Sequence, residues 1–178
     1  RECAKLGIAR PLIVTDKGVR AAGLLDRLTG ALDNGASLPV FDATPPNPNE
    51  SAVRAAAVLY KSENCDGLIA LGGGSAIDLA KGVALLATHE GALKEYAVIE
   101  GGAAKITPKV APLIAIPTTA GTGSEVGRGA VLIMADGRKL AVISPHLIPR
   151  VAICDPELTF GLPPLLTAAT GMDAIAHC

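Results

Sequence analysis

Residues 67–88, GLIALGGGSAIDLAKGVALLAT, constrain the fold more than any other stretch of the chain. An uninterrupted apolar run of strand length meets Gly72, Gly73 and Gly74, and a helix-like segment opens at once on Ser75. Short apolar runs without alternation suit strands covered on both faces. The segment that follows carries Ala76, Leu79, Ala80, Val83 and Ala87 on one helical stripe.

The same rhythm runs through the rest of the chain. PLIVTD (11–16) reads as a strand, 18–33 as a helix, LPVFDAT (38–44) as a strand, PPNPN (45–49) as a loop and 50–63 as a helix. APLIAIPTTAGTGSE (111–125) repeats strand into small-residue loop. AVLIMADGRKLAVIS (130–144) reads as a β-hairpin, with Asp136-Gly137 predicting a type I′ turn. RVAICDPELT (150–159) adds a strand, and a new helix begins at Pro163. Strands alternating with helices predict an α/β fold, a parallel sheet with helices on both faces. The domain boundary is expected near Leu162, giving units 1–162 and 163–178.

Composition narrows the partners. Of the 178 residues, 49% are hydrophobic and 19% charged, with a net charge of -1. There is no basic run, and Phe41, Tyr60, Tyr96 and Phe160 are scattered, so no nucleic-acid partner is expected. No apolar run approaches the roughly 18 residues that cross a bilayer. RECAKLGIAR lacks the apolar centre of a signal peptide, and a cytoplasmic location is expected. Cys3, Cys65, Cys154 and Cys178 form no CxxC pair and read as free thiols, Cys65 and Cys154 as core residues beside apolar runs.

Glycines between a buried strand and a helix let a ligand approach the backbone, and the helix N-terminus offers unpaired N–H groups with partial positive charge. Gly72, Gly73, Gly74 and Ser75 therefore form a candidate phosphate or pyrophosphate site. Ser75 with Asp78 also fits a capping box, which needs no ligand. Neither GxGxxG nor a P-loop is present. Asp16, at the end of the first strand, could accept hydrogen bonds from a ribose diol, or could simply form a turn ahead of Lys17-Gly18.

In IPTTAGTGSEV the hydroxyls of Thr118, Thr119, Thr122 and Ser124 alternate with small residues, a pattern open to a cofactor or to loop-internal hydrogen bonds. Asp173 and His177 are i and i+4, so a helix puts both metal-ligand types on one face; the same spacing fits a simple ion pair. His89 and His146 lie in segments with no evident approach to that helix.

Taken together and in order, LGGGSAIDLAKGVALL, IPTTAGTGSEV, DPELTFGLPP and TAATGMDAIAHC resemble the iron-containing (group III) alcohol dehydrogenase family, over about residue 11 to the end. The resemblance implies a Rossmann-like domain that binds NAD, with NADP disfavoured by Asp16 at the adenosine ribose. It implies Gly73, Gly74 and Ser75 at the pyrophosphate, and Thr118, Thr119 and Thr122 on the cofactor. It also implies a cofactor-side loop at residues 46–48, including Asn47, and a cofactor-side lysine at Lys139. Asp78 falls within the same glycine motif. Asp173 and His177 match two of the family's four metal ligands, one Asp and three His. The other two histidines are not among these residues, so a truncated helical unit with an unpartnered apolar helix is expected.

The activity implied is metal-assisted hydride transfer between a small alcohol and NAD, with Fe2+, or Zn2+ from the same ligand types, as the Lewis acid. The intact enzyme is expected to be a homodimer or larger. A relative of glycerol dehydrogenase or maleylacetate reductase, and a nucleotide-binding module without activity, are the alternatives. The Asp-Ala-x-x-His match at 173–177 speaks against the first.

Overall fold

The computed structural model describes residues 1–32 and 34–177, the His177 side chain excepted. Its elements are α1 (Glu2–Lys5), β1 (Pro11–Val14), α2 (Lys17–Ala21), α3 (Leu24–Gly30), β2 (Val40–Phe41), α4 (Glu50–Ser62), β3 (Gly67–Gly72), α5 (Gly74–Thr88), β4 (Leu113–Pro117), β5 (Gly129–Ile133), β6 (Lys139–Ile143), β7 (Val151–Ala152) and α6 (Pro164–His177). Short 3₁₀ turns lie between α3 and β2, α5 and β4, β6 and β7, and β7 and α6.

Five strands form one parallel sheet in the order β2-β1-β3-β4-β7. Leu12 pairs with Leu68, and Leu68 with Leu113. Every residue of β1, β3 and β4 is buried. Successive side chains of a strand point to opposite faces, and the core divides accordingly. Leu12, Val14, Leu68, Ala70, Leu113 and Ala115 pack in one cluster with α4 and α5. Ile13, Ile69, Leu71, Ile114 and Ile116 pack in the other with Leu24, Leu25 and Leu28 of α3. Each buried Leu, Ile or Val among these contributes about 1.5–3 kcal/mol. The expected α/β architecture, with helices on both faces, is the one observed.

Local chemistry sets the boundaries. Asp16 caps α2, accepting the Val19 N–H at 2.9 Å, and Asn49 caps α4 through Ala52 N–H at 2.9 Å. The single helix expected over 18–33 is two, because Gly23 takes a left-handed conformation (φ 76°) between α2 and α3. The strand expected over 38–44 is only Val40–Phe41, since the chain turns into the proline-rich loop that follows. α5 is buried nearly all round rather than along one stripe, and Ala87 is only half-buried.

β5 and β6 form the expected hairpin, but the turn is not type I′, which needs positive φ at both central residues. Only Gly137 has positive φ (83°); Met134 O accepts from Gly137 N–H and Met134 N–H donates to Arg138 O. That is a three-residue loop closed by a left-handed glycine. At the other end, α6 exposes Leu165 (84%), Met172 and Ile175. Among the described residues no helix is long and apolar enough to cross a membrane.

Candidate cofactor site

The C-terminal ends of β1, β3 and β4 lie side by side, and each leads into a loop singled out by the sequence. Such strand ends line the ligand crevice of open α/β sheets. Gly73 is the N-cap of α5, and no side chain caps the first turn. The capping box, the alternative reading of Ser75 and Asp78, is not formed. The Ser75 hydroxyl donates instead to the Pro46 carbonyl. The N-terminus of a 15-residue helix is left open toward the crevice.

The threonine loop folds against this turn. Thr118 N–H donates to Gly72 O at 3.1 Å, and the Thr118 side chain is buried. A Cβ on Gly73 would stand 3.0 Å from Thr119 Oγ1, and one on Gly74 would stand 3.0 Å from Thr122 Cγ2. The glycines thus permit a close approach of two loops, one that a Cβ at either position would make tighter than ordinary side-chain contact. Asp16 borders the same turn: a Cβ on Gly72 would lie 3.5 Å from its Oδ2, while Oδ1 holds the α2 cap. Turn formation and ligand binding are compatible roles for this carboxylate, one oxygen for each.

Residues 46–48 close the crevice from the hairpin side. Asn47 Oδ1 accepts from Lys139 Nζ at 3.0 Å, and Pro48 O accepts from Ile133 N–H at 2.9 Å. Asp16, Asn47, Gly73, Gly74, Ser75, Thr118, Thr119, Thr122 and Lys139, scattered in sequence, meet at one end of the sheet. Asp78 stands a turn deeper in α5, its carboxylate accepting from Ser124 Oγ and, at 2.9 Å, from Val131 N–H. Sequence reading missed its partner Lys81, which is wholly buried on the same helix. A lysine inside an otherwise apolar, small-residue helical stripe was the available signal.

The C-terminal helix α6 touches this site. Gly121 (φ 116°) sits so close to α6 that a Cβ there would lie 2.3 Å from Thr170 O and 3.1 Å from Ala174 N. Asp173, half-buried, adjoins that contact, whereas the His177 side chain lies outside the described residues. Among the described residues no group of three or more His, Cys, Asp or Glu is gathered to hold a metal. His89 is a structural residue at the far end of α5, its Nε2 accepting the Thr107 N–H at 3.0 Å. His146 is half-buried in the turn after β6.

Cys3 and Cys65 are half-buried, and Cys178 lies outside the described residues. Cys154 is exposed, not core as expected, because β7 ends at Ala152 and the chain leaves the sheet. Burial pushes the Cys65 thiol up to about 11. At pH 8 that leaves about 0.1% thiolate. Iodoacetamide is therefore expected to modify Cys154 well before Cys65, as read by peptide mass spectrometry over time. Faster modification of Cys65 would contradict its assigned burial.

Fold and crevice together define a Rossmann-like α/β domain. The iron-containing alcohol dehydrogenase family model matches residues 1–156. A 4-hydroxybutyrate dehydrogenase of Cupriavidus necator is 65% identical over 177 residues, covering 99% of this chain and 46% of that protein. A crystal structure of a 1,3-propanediol oxidoreductase superposes with a TM-score of 0.92 at 41% identity, covering 99% of this chain and 46% of that one. A sulfoacetaldehyde reductase from Bifidobacterium kashiwanohense, solved with NAD+, gives 0.88 at 39% identity, with 97% and 45% covered. The chain belongs to the iron-containing alcohol dehydrogenase family, and it spans about half the length of the relatives it matches.

Proposed function

We propose that this chain is the cofactor-binding half of an NAD-dependent alcohol oxidoreductase, with residues 1–162 as the cofactor domain and 163–178 as the start of a helical, metal-binding one. The observation that carries the reading is the contact of the glycine turn with the threonine loop across the open N-terminus of α5. The likeness to a relative solved with NAD+ supports the choice of cofactor.

In this reading Gly73, Gly74 and Ser75 take the pyrophosphate on the α5 N-terminus, where N–H groups and helix dipole favour an anion. Thr118, Thr119 and Thr122 close over it. Asp16 Oδ2 accepts from the adenosine ribose diol and repels a 2′-phosphate. Asn47 and Lys139 hold the hairpin-side wall through their mutual hydrogen bond. Asp78 acts through the loop, because both of its oxygens are already engaged.

Asp173 and His177 supply one carboxylate and one imidazole, a donor set that fits Fe2+ and also Zn2+. When bound, the metal supplies Lewis acidity toward an alcohol or aldehyde oxygen. The chain's contribution is to seat α6, and with it Asp173, on the same loop that covers the cofactor. The likeness to 4-hydroxybutyrate and 1,3-propanediol dehydrogenases supports a small alcohol, or the matching aldehyde, as substrate. The intact enzyme would work in the cytoplasm as a homodimer or larger.

Calorimetric titration with NAD+ and NADP+ tests the cofactor assignment. NAD+ is expected to bind at least about tenfold more tightly, a difference of about 1.4 kcal/mol, and Asp16→Ala to narrow that gap. The substitution also removes the α2 cap, at about 1 kcal/mol of stability. Equal or tighter NADP+ binding by the unsubstituted chain would overturn the role given to Asp16.

A further inference from the structure

Lys81 is the largest fully buried side chain of the protein's described residues and takes no direct part in the crevice. Its ammonium donates to Ser124 Oγ at 3.1 Å, Gly127 O at 2.9 Å and Gly129 O at 2.7 Å, with Asp78 Oδ1 at 3.9 Å. Three donors meet three acceptors, which satisfies the ammonium completely. Asp78 completes the arrangement by accepting from the Ser124 hydroxyl and the Val131 N–H. Burial pulls the lysine pKa below its ordinary value, and the Asp78 and Glu125 carboxylates oppose that pull.

Apart from Asp78 on α5, these partners run from the end of the threonine loop at Ser124 into β5 at Gly129 and Val131. The loop is thus fixed at two ends: Thr118 N–H on Gly72 O at the start, and Ser124 on the Lys81–Asp78 pair at the finish. Between those anchors stand Thr119 and Thr122, the side chains that meet Gly73 and Gly74. Lys81 is seven residues beyond Gly74, about 10 Å along the helix axis. It is too deep to touch a ligand on the first turn, yet it sits on the same rigid rod.

We propose that Lys81 is a positioning residue for the cofactor site: its buried ammonium gathers residues 124–129 onto α5 and thereby sets the gap between glycine turn and threonine loop. The inference rests on the cofactor reading given above. An apolar residue in its place would leave two carbonyls and Asp78 without their partner, and the segment would lift to find water.

The test is calorimetric titration of NAD+ into the unsubstituted chain and the Lys81→Met, Ser124→Ala and Ser124→Thr variants, each with its thermal melt. Lys81→Met is expected to weaken NAD+ binding about tenfold per folded chain and to lower the melting temperature as well. Ser124→Ala leaves the lysine its two carbonyls; it is expected to bind about threefold more weakly with a nearly unchanged melt. Ser124→Thr, which keeps the hydroxyl, is expected to regain affinity. A purely structural lysine would change the melts and leave all four dissociation constants alike, and that result overturns the proposal. If Lys81→Met does not fold, the two Ser124 variants decide. Absence of NAD+ binding by the unsubstituted chain overturns the cofactor reading, and this inference with it.

Discussion

Replacing Gly121 with valine is expected to release α6 from the threonine loop and to accelerate amide exchange along Pro164–His177 by about 100-fold. Two effects combine. A side chain at φ 116° strains the backbone by about 1–3 kcal/mol. The added Cβ would also lie 2.3 Å from the Thr170 carbonyl, and that carbonyl belongs to the helix ladder and cannot swing aside. α6 exposes most of its apolar side chains and has little packing with which to resist, so the helix leaves while the sheet stays folded. Hydrogen exchange followed by mass spectrometry reads this peptide by peptide. Unchanged exchange in α6, with the sheet also unchanged, would mean that the Gly121 contact does not seat the helix.

Gly74→Val should abolish most cofactor affinity without disturbing the fold. The residue opens α5 in ordinary helical geometry, where valine is no worse than glycine intrinsically. Its side chain, however, would enter the space between the turn and Thr122, already only 3.0 Å from a Cβ. Either the loop moves or the pyrophosphate cannot reach the N–H groups. The expected result is about a 100-fold loss of NAD+ affinity, about 2.7 kcal/mol, with a melting temperature close to that of the unsubstituted chain. Full affinity in a well-folded variant would place the phosphates elsewhere.

What could be read from the sequence was whatever is encoded locally. The buried strands announced themselves as continuous apolar runs, and the glycine and threonine loops as interruptions immediately after them. Order along the chain then sufficed to bring Asp16, Gly73 and Thr119 to one end of a parallel sheet. Features that depend on distant partners were not legible. Asp78 looked like a cap because Ser75 precedes it by three residues; its real partners, Ser124 and Val131, are brought by tertiary packing. Lys81 reads as an ordinary helix residue because its acceptors, the Ser124 hydroxyl and the carbonyls of Gly127 and Gly129, lie 43, 46 and 48 positions away. The hairpin turn differs in loop length, since Asp-Gly serves both two- and three-residue loops and the strand register decides between them. Cys154 was mistaken for core because the short β7 ends two residues before it.

The sheet order also bears on how the molecule comes to be folded. Each neighbour in β2-β1-β3-β4-β7 is parallel, so no pair can be joined by a tight turn. Leu68 must find Leu12 upstream and Leu113 downstream before the central strand is paired on both edges. Only β5 and β6 can zip locally, and they belong to a separate two-stranded sheet. The search for long-range partners therefore precedes the burial that rewards it, which makes refolding slow and leaves apolar strands exposed meanwhile. For a newly made chain, the period of greatest exposure to aggregation comes before β4 is available to cover the second edge of β3.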